Sequence, residues 1–283
     1  MIRAVPFKRY AVIGNPIEHS RSPFIHEEFG RQTGLPVRYE RIQAPLDEFA
    51  RVVSEFFEDG GGLNITVPFK QEAFELAQGH LSTRARLAGA VNTLWMEQGV
   101  LHGCNTDGLG LLNDLERLAR APYNKKILLV GAGGAARGVV FPLLDAGCAE
   151  LRIVNRSAER AHELRQYMLG NMPEAASRLS AGSLAEVEGS WDIVINATSS
   201  SLAHTAPRLP AGLYRPGALA YDMVYASRPT PFMQQALEDE ADHVADGLGM
   251  LVAQAAASFA IWHGVSPKVE PVLHALRQQL LAA

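Results

Sequence analysis

The stretch Ile127-Leu128-Leu129-Val130-Gly131-Ala132-Gly133-Gly134-Ala135-Ala136 decides the fold. Four apolar residues in a row read as a strand buried on both faces, as in a parallel sheet. The G-x-G-x-x-A that follows at once reads as a tight turn opening a helix. Gly131 permits the turn, Gly133 lets backbone approach a pyrophosphate seated on the helix N-terminus, and small Ala136 permits close helix packing. As a bare motif it is shared with flavin enzymes, methyltransferases and plain tight turns; its place directly after a strand favours a dinucleotide.

Outward from this turn, Leu151-Arg152-Ile153-Val154, Ile193-Val194-Ile195 and Leu219-Ala220-Tyr221-Asp222-Met223 read as further buried strands separated by helical segments. Upstream, Tyr10-Ala11-Val12-Ile13, Leu63 to Val67 and Val91 to Trp95 read as strands of a first α/β unit, with a helix over Phe24 to Thr33 capped by Ser22 and carrying Pro23 in its first turn. A helix from Leu109 to Arg120, opened by Asp107-Gly108, crosses to the second unit. Met250 to His263 and Val269 to Leu281 read as two C-terminal helices. The fold class is therefore α/β with two α/β domains, the second of Rossmann type, and no internal repeat is visible.

The strand after the glycine turn chooses the nucleotide. An NAD site usually ends this strand with an acid that accepts the ribose 2′-hydroxyl, whereas here it ends in Asn155 and continues Arg156-Ser157-Ala158-Glu159-Arg160. Two guanidinium groups, which match a phosphate bidentately and stack on adenine, together with Asn155 and Ser157, favour NADP. Each arginine alone would read as a solvated strand-end cation; paired at this spacing they read as a 2′-phosphate site.

The chain has 283 residues, 47% hydrophobic and 20% charged, with a net charge of −4. Such a length and composition suit two globular domains without disordered segments. The scattered charges exclude a basic surface for nucleic acid or anionic membrane. The stretch Met1 to Tyr10 lacks a signal-peptide core, and the longest apolar stretch, Met250 to Trp262, is interrupted by Gln254 and Ser258 and is shorter than the ~20 residues of a bilayer span. Cys104 and Cys148 form no C-x-x-C and have no metal-ligand set, so both read as free thiols in a reducing, cytoplasmic setting, with no metal expected. No Tyr-x-x-x-Lys, H-E-x-x-H or zinc cysteine set is present, so hydride transfer needs another proton donor.

The chain resembles the shikimate dehydrogenase family through motifs spread over nearly its whole length. They are Gly14-Asn15-Pro16-Ile17 with His19-Ser20-Arg21-Ser22-Pro23, Asn64 to Lys70, Gly89-Ala90-Val91-Asn92-Thr93 and Asn105-Thr106-Asp107-Gly108. The Gly131 turn, Asn155-Arg156-Ser157, Asn196-Ala197-Thr198-Ser199, Tyr221 to Tyr225, and Asp246 to Leu251 with Gln254 complete the set. The resemblance implies an NADP-dependent oxidoreductase that reversibly reduces 3-dehydroshikimate to shikimate in aromatic amino-acid biosynthesis, a cytoplasmic monomer or homodimer. It implies a substrate-binding domain over 1–107, joined by helices of 250–283, and an NADP-binding domain over 108–249. Matched by motif, Ser20, Ser22, Asn64, Thr66, Lys70, Asn92, Asp107, Tyr225 and Gln254 would line the substrate site. Gly131, Ala132, Gly133, Gly134, Ala135, Asn155, Arg156, Ser157, Arg160, Thr198, Met223 and Gly247 would hold NADP, the last two near the nicotinamide.

The chemistry of these residues agrees with the resemblance. Ser20 and Ser22, leading into a helix, offer hydroxyls and first-turn amides to a carboxylate without an arginine, although Ser22 is equally explained as a cap. Asn64 and Thr66 share one face of their strand, as an exposed polar face also would. Lys70 stands where a helix begins and opposes its dipole, at a cost of a few tenths of a kcal/mol, so stability does not explain it. Asp107 has a bland reading as the cap of the helix from Leu109; such a cap favours the carboxylate anion, which makes it a partner for Lys70 and leaves Lys70 as the general acid/base. His19, His26 and His102 lack a local carboxylate or ligand spacing and read as structural or solvent-facing.

Some positions depart from the family pattern: Cys104 precedes Asn-Thr-Asp, Ser157 replaces a commoner threonine, and Ser200-Ser201 stands where many members have glycine. None removes a catalytic group. A quinate/shikimate dehydrogenase and a catalytically inactive ligand-binding paralogue are the alternative readings; intact Lys70 and Asp107 disfavour the second.

Overall fold

In the computed structural model, which describes residues 8–282, the glycine turn lies between β6 (Lys126–Val130) and α6 (Gly134–Asp145). The sequence expectation for Met1 to Phe7 lies outside the described residues. The chain divides into two compact units, Met1–Thr106 with Gln254–His274, and Asp107–Ala253 with Ala275–Ala283.

Unit 1 begins with β1 (Arg9–Gly14), α1 (Ser22–Thr33), β2 (Arg38–Gln43), α2 (Phe49–Phe56) and β3 (Gly60–Ile65). It continues with α3 (Lys70–Leu76), α4 (Thr83–Ala88), β4 (Thr93–Glu97) and β5 (Val100–Cys104). The sheet order is β2-β1-β3-β4-β5; β1 runs parallel to both neighbours, while β3–β4 and β4–β5 are antiparallel. Ala11, Ile13, Leu63, Ile65 and Leu94 from the strands meet Phe49, Val53, Phe69 and Ala73 from α2 and the α3 region in one apolar cluster. On the opposite face Tyr10, Val12 and Tyr39 pack with Trp262.

Unit 2 opens with α5 (Asp107–Arg117) and continues after α6 with β7 (Glu150–Asn155), α7 (Ala158–Asn171), β8 (Leu179–Ser183) and β9 (Trp191–Asn196). It is completed by β10 (Tyr214–Asp222), α8 (Pro231–Glu238) and β11 (His243–Asp246). Two further helices, α9 (Leu248–His263) and α10 (Val269–Ala282), each contribute residues to both units. The six strands are all parallel, in the order β11-β10-β9-β6-β7-β8. This is the doubly wound arrangement, and its topological switch point falls between β6 and β9, where a ligand crevice forms beyond the strand ends. The core strands are apolar on both faces because helices cover both: Ile127 and Leu129 belong to one cluster with α6, Leu128 and Val130 to another with Phe232 of α8.

Several element boundaries differ from the sequence reading. Strands β2, β5, β8 and β11 were not visible as apolar runs, and α5 begins at Asp107 and ends at Arg117 instead of spanning Leu109 to Arg120. The 250–283 block is divided between the units and does not belong as a whole to the first.

Candidate active site

In unit 1 the serine motif is folded differently from a simple cap. Arg21 occupies the capping position without a side-chain capping bond, and Ser22 lies inside the first turn, buried, with Pro23 beside it. The expectation that Ser22 is the N-cap is corrected by this. The cause is Ser20, whose Oγ accepts the Ser22 backbone N–H (3.3 Å) and donates to Ser22 Oγ (3.2 Å), so the two hydroxyls are held together. Arg41 of β2 donates through Nε and Nη to the Ser20 carbonyl at 2.9 and 2.6 Å. The segment therefore does have an arginine beside it, contrary to the sequence reading. Nothing local could have revealed Arg41, an exposed residue of an edge strand that shares the face of buried Tyr39 two residues before it.

Asn64 is buried and not part of an exposed polar face. Its Oδ1 accepts from Tyr39 OH at 2.7 Å, and its Nδ2 donates to the Asn92 carbonyl (3.2 Å) and to Ser258 Oγ (3.0 Å). Asn92 Oδ1 accepts from Thr106 N–H (2.9 Å) and Thr93 Oγ1 (2.8 Å), while Asn92 Nδ2 donates to Gln254 Oε1 (3.3 Å). Asn64, Asn92 and Gln254 are thus members of one hydrogen-bonded network. Thr66 lies past the end of β3; its N–H donates to the Ile13 carbonyl (2.9 Å), and its carbonyl accepts from Phe69 N–H (3.0 Å). Lys70, half-buried, is the first residue of α3, and its carbonyl accepts from Val91 N–H (2.9 Å), tying the lysine backbone to the residue before Asn92. Cys104, also buried, receives a long Arg84 contact on sulfur (3.7 Å) and leaves its carbonyl to Asn92 N–H.

The other two expected substrate residues fall in unit 2. Asp107 is the buried first residue of α5, within its first turn rather than ahead of it. Tyr225 follows β10, half-buried, on a segment fixed at Ala226, whose N–H donates to Asp246 (3.3 Å) and whose carbonyl accepts from Arg277 (3.1 Å). Arg277 of α10 also pairs with both Asp246 oxygens.

His26, expected to be structural or solvent-facing, is completely buried and stacks on Tyr39 with ring centroids 4.3 Å apart. Burial, with His263 of α9 as the second cause, lowers its pKa to about 3. An unfolded chain takes up this proton near pH 6.5, so stability falls as pH drops from there towards about 3, by up to ~1.4 kcal/mol per pH unit. The acid-side fall of the thermal midpoint between pH 6.5 and 4 should therefore be shallower in His26→Phe than in the parent; equal slopes would show that His26 does not drive it. His19 is exposed, and His102 has Glu97 4.0 Å away across the β4–β5 hairpin, a carboxylate the sequence reading did not place there.

The residues expected to hold the nucleotide all lie in unit 2. Gly131 has φ +117° and donates its N–H to the Val154 carbonyl at 2.7 Å; a Cβ there would press on the Ala197 backbone at 3.1 Å. Ala132 is buried, whereas Gly133, Gly134 and Ala135 are exposed, and Cβ atoms on the two glycines would meet open space. The start of α6 is therefore a cradle with room above its amides. Asn155 bends the chain after β7 by donating to the Ser157 carbonyl (3.0 Å), and Ser157 Oγ donates to Glu159 (2.7 Å), which holds that carboxyl below its usual range. Arg156 and Arg160 are exposed and form no ion pair among the described residues.

Thr198 follows β9 and is fixed by Asn196 Oδ1, which accepts its N–H (3.1 Å) and hydroxyl (2.7 Å). Met223 N–H donates to the Asn196 carbonyl (2.9 Å), and Gly247 lies so close to the Met223 carbonyl that any side chain would collide with it. Beneath them Asp222, fully buried, accepts from Ser201 and Thr230 hydroxyls (2.6 Å each), Asn196 Nδ2 (3.1 Å) and Val224 N–H (3.1 Å). Burial raises its pKa, and the four donors oppose that shift. In the sequence Asn196 and Asp222 are only members of motifs; their partners give them the role of shaping this wall.

Comparisons with known proteins agree along the whole chain. The shikimate dehydrogenase substrate binding domain matches residues 12–94, the shikimate / quinate 5-dehydrogenase family residues 115–207, and the shikimate 5'-dehydrogenase C-terminal domain residues 247–277. The chain is 61% identical over 285 residues to shikimate dehydrogenase (NADP(+)) of Bordetella petrii, covering 100% of this chain and 99% of the relative. Identity to the protein of the same name from Bordetella avium is 63%, over 97% of each. Among solved structures, shikimate 5-dehydrogenase of Thermus thermophilus in complex with NADP(H) and shikimate superposes with a TM-score of 0.85 at 32% identity, over 97% of this chain and 100% of that one.

Proposed function

The chain belongs to the shikimate dehydrogenase family, and from that membership we propose the roles of its individual residues. It is an NADP-dependent oxidoreductase acting on a CH–OH group, which interconverts 3-dehydroshikimate and shikimate in aromatic amino-acid biosynthesis. Our reading assigns the substrate to Ser20, Ser22, Asn64, Thr66, Lys70, Asn92, Asp107, Tyr225 and Gln254. It assigns the dinucleotide to the Gly131–Ala135 cradle, Asn155, Arg156, Ser157, Arg160, Thr198, Met223 and Gly247. The observation that carries the substrate assignment is that Asn64, Asn92 and Gln254, distant in sequence, share one hydrogen-bonded network.

The residues present fit NADP: a glycine cradle open above the helix amides, and two exposed arginines beyond β7. Bound NADPH supplies the hydride. Lys70 holds the proton that the C3 carbonyl oxygen gains as hydride reaches its carbon, then recovers one from solvent. Asp107 orients the Lys70 ammonium and the substrate hydroxyl. Ser20 and Ser22, clamped together and braced by Arg41, accept the substrate carboxylate through O–H donors. We also place the enzyme in the cytoplasm as a monomer or homodimer, with unpaired Cys104 and Cys148 suited to a reducing compartment. No helix among the described residues is long and apolar enough to cross a membrane.

A spectrophotometric assay of nicotinamide reduction tests this reading. Shikimate with NADP should give turnover well above that of quinate with NADP or of shikimate with NAD. Activity with quinate equal to that with shikimate would move the chain to the quinate/shikimate type, and activity with neither would overturn the assignment.

A further inference from the structure

Gln254 and Ser258 lie one turn apart on α9, a helix otherwise lined here by buried Val252, Ala255, Ala256 and Phe259. Serine is a poorer helix former than alanine, and a fully buried hydroxyl is costly unless it is bonded. Stability alone would place alanine at 258. The hydroxyl instead stands at the centre of the substrate-side network: Ser258 Oγ lies 3.0 Å from Asn64 Nδ2, 2.8 Å from Thr93 Oγ1, 3.2 Å from Thr106 Oγ1 and 3.2 Å from the Gln254 carbonyl.

Proton bookkeeping gives these contacts a direction. Asn64 Oδ1 is taken by the Tyr39 hydroxyl, so its Nδ2 faces Ser258, and an amide nitrogen can only donate. Ser258 Oγ therefore accepts from Asn64, and its own proton has two oxygens in reach, Thr93 Oγ1 at 2.8 Å and the Gln254 carbonyl at 3.2 Å. Thr93 passes its proton to Asn92 Oδ1, whose second lone pair receives Thr106 N–H. With its oxygen filled, Asn92 turns Nδ2 towards Gln254 Oε1. With the Ser258 proton on its shorter contact, to Thr93, the donations run one way from Tyr39 through Asn64, Ser258, Thr93 and Asn92 to Gln254, and aligned bonds of this kind polarise one another in a buried setting.

We propose that Ser258 is a positioning residue for the substrate: through Asn64 on one side and Thr93–Asn92–Gln254 on the other, it fixes which end of each side-chain amide faces the ligand's hydroxyl groups. The inference rests on the functional reading above. It touches neither hydride nor proton transfer, so its signature is in substrate affinity.

Ser258→Ala removes the nearest acceptor of the Asn64 amide and leaves it only the longer contacts to the Asn92 carbonyl (3.2 Å) and Thr93 Oγ1 (3.3 Å), so the KM for shikimate should rise about tenfold, within a range of roughly five- to a hundredfold. The KM for NADP should not change, kcat should change by less than about threefold, and Ser258→Thr, which keeps the hydroxyl, should restore the shikimate KM. If the added methyl of that variant prevents folding, Thr93→Val breaks the same link from its other end and should show the same selective rise. A parent-like shikimate KM in Ser258→Ala overturns the proposal. So does a matching rise in both KM values with a lowered thermal midpoint, which marks a merely structural serine. Failure of the underlying reading looks different: the unaltered chain does not turn over shikimate, and this inference falls with it.

Discussion

Lys70→Ala should lower kcat for shikimate oxidation by about 10²–10⁴-fold, the span that one positioned acid or base contributes. The KM for shikimate should move far less. Lys70 is the first residue of α3, where an ammonium opposes the helix dipole, so its removal should leave the thermal midpoint unchanged or slightly raised. Its backbone bond from Val91 is kept by alanine, which preserves the approach to Asn92. The decisive comparison is thus between turnover and stability in one variant. Near-normal kcat would remove Lys70 from the chemistry; a collapse of both would show that it holds the fold. Asp107→Asn, isosteric but unable to attract the ammonium, should fall in the same direction by a smaller factor.

The second large effect concerns the nucleotide. Exchanging both Arg156 and Arg160 for glutamine should raise the KM for NADP about a hundredfold, since a charged hydrogen bond to phosphate is worth about 1.5–3 kcal/mol. The KM for NAD, which lacks the 2′-phosphate, should stay within about threefold. Both side chains are exposed and unpaired among the described residues, so little stability is at stake. Equal losses for the two nucleotides would mean that the arginines act on something common to both. Glu159, held by Ser157 on the same turn, has a depressed pKa, and its anion works against the phosphate; Glu159→Gln should lower the KM for NADP modestly.

What could be read from sequence was what is local. The turn after β6 shows in ten consecutive residues because strand burial, the positive φ at Gly131 and the helix start are all decided there. The four strands that were missed are the two edges of each sheet: β2 and β5 in one, β8 and β11 in the other. Edge strands are covered less than central ones and carry polar or charged residues, as in Arg38-Tyr39-Glu40-Arg41, where only Tyr39 is buried, so they do not form apolar runs. Ser22 was misplaced as a cap because a serine before proline has two local solutions, and the choice depends on Ser20 folding back on it. Of the site, the residue types in motifs were legible, but their connection was not. Asn64 meets Ser258 across 194 positions of chain, and Arg41 reaches Ser20 from another strand.

Arg277 and Asp246 have a consequence for how this chain can vary. The pair is partly buried, and it holds Ala226, next to Tyr225, from a helix that contributes no candidate residue of its own. Losing Arg277 strands the buried Asp246 carboxylate, a change that typically costs about 3–5 kcal/mol, whereas replacing both together by apolar residues of like volume is often neutral. The two positions, 31 apart, should therefore be inherited as a unit: a chimaera that swaps α10 between relatives must carry the residue at 246 with it. Surface exposure along α10 would suggest free exchange at every other outward position, and at this one the permission is conditional.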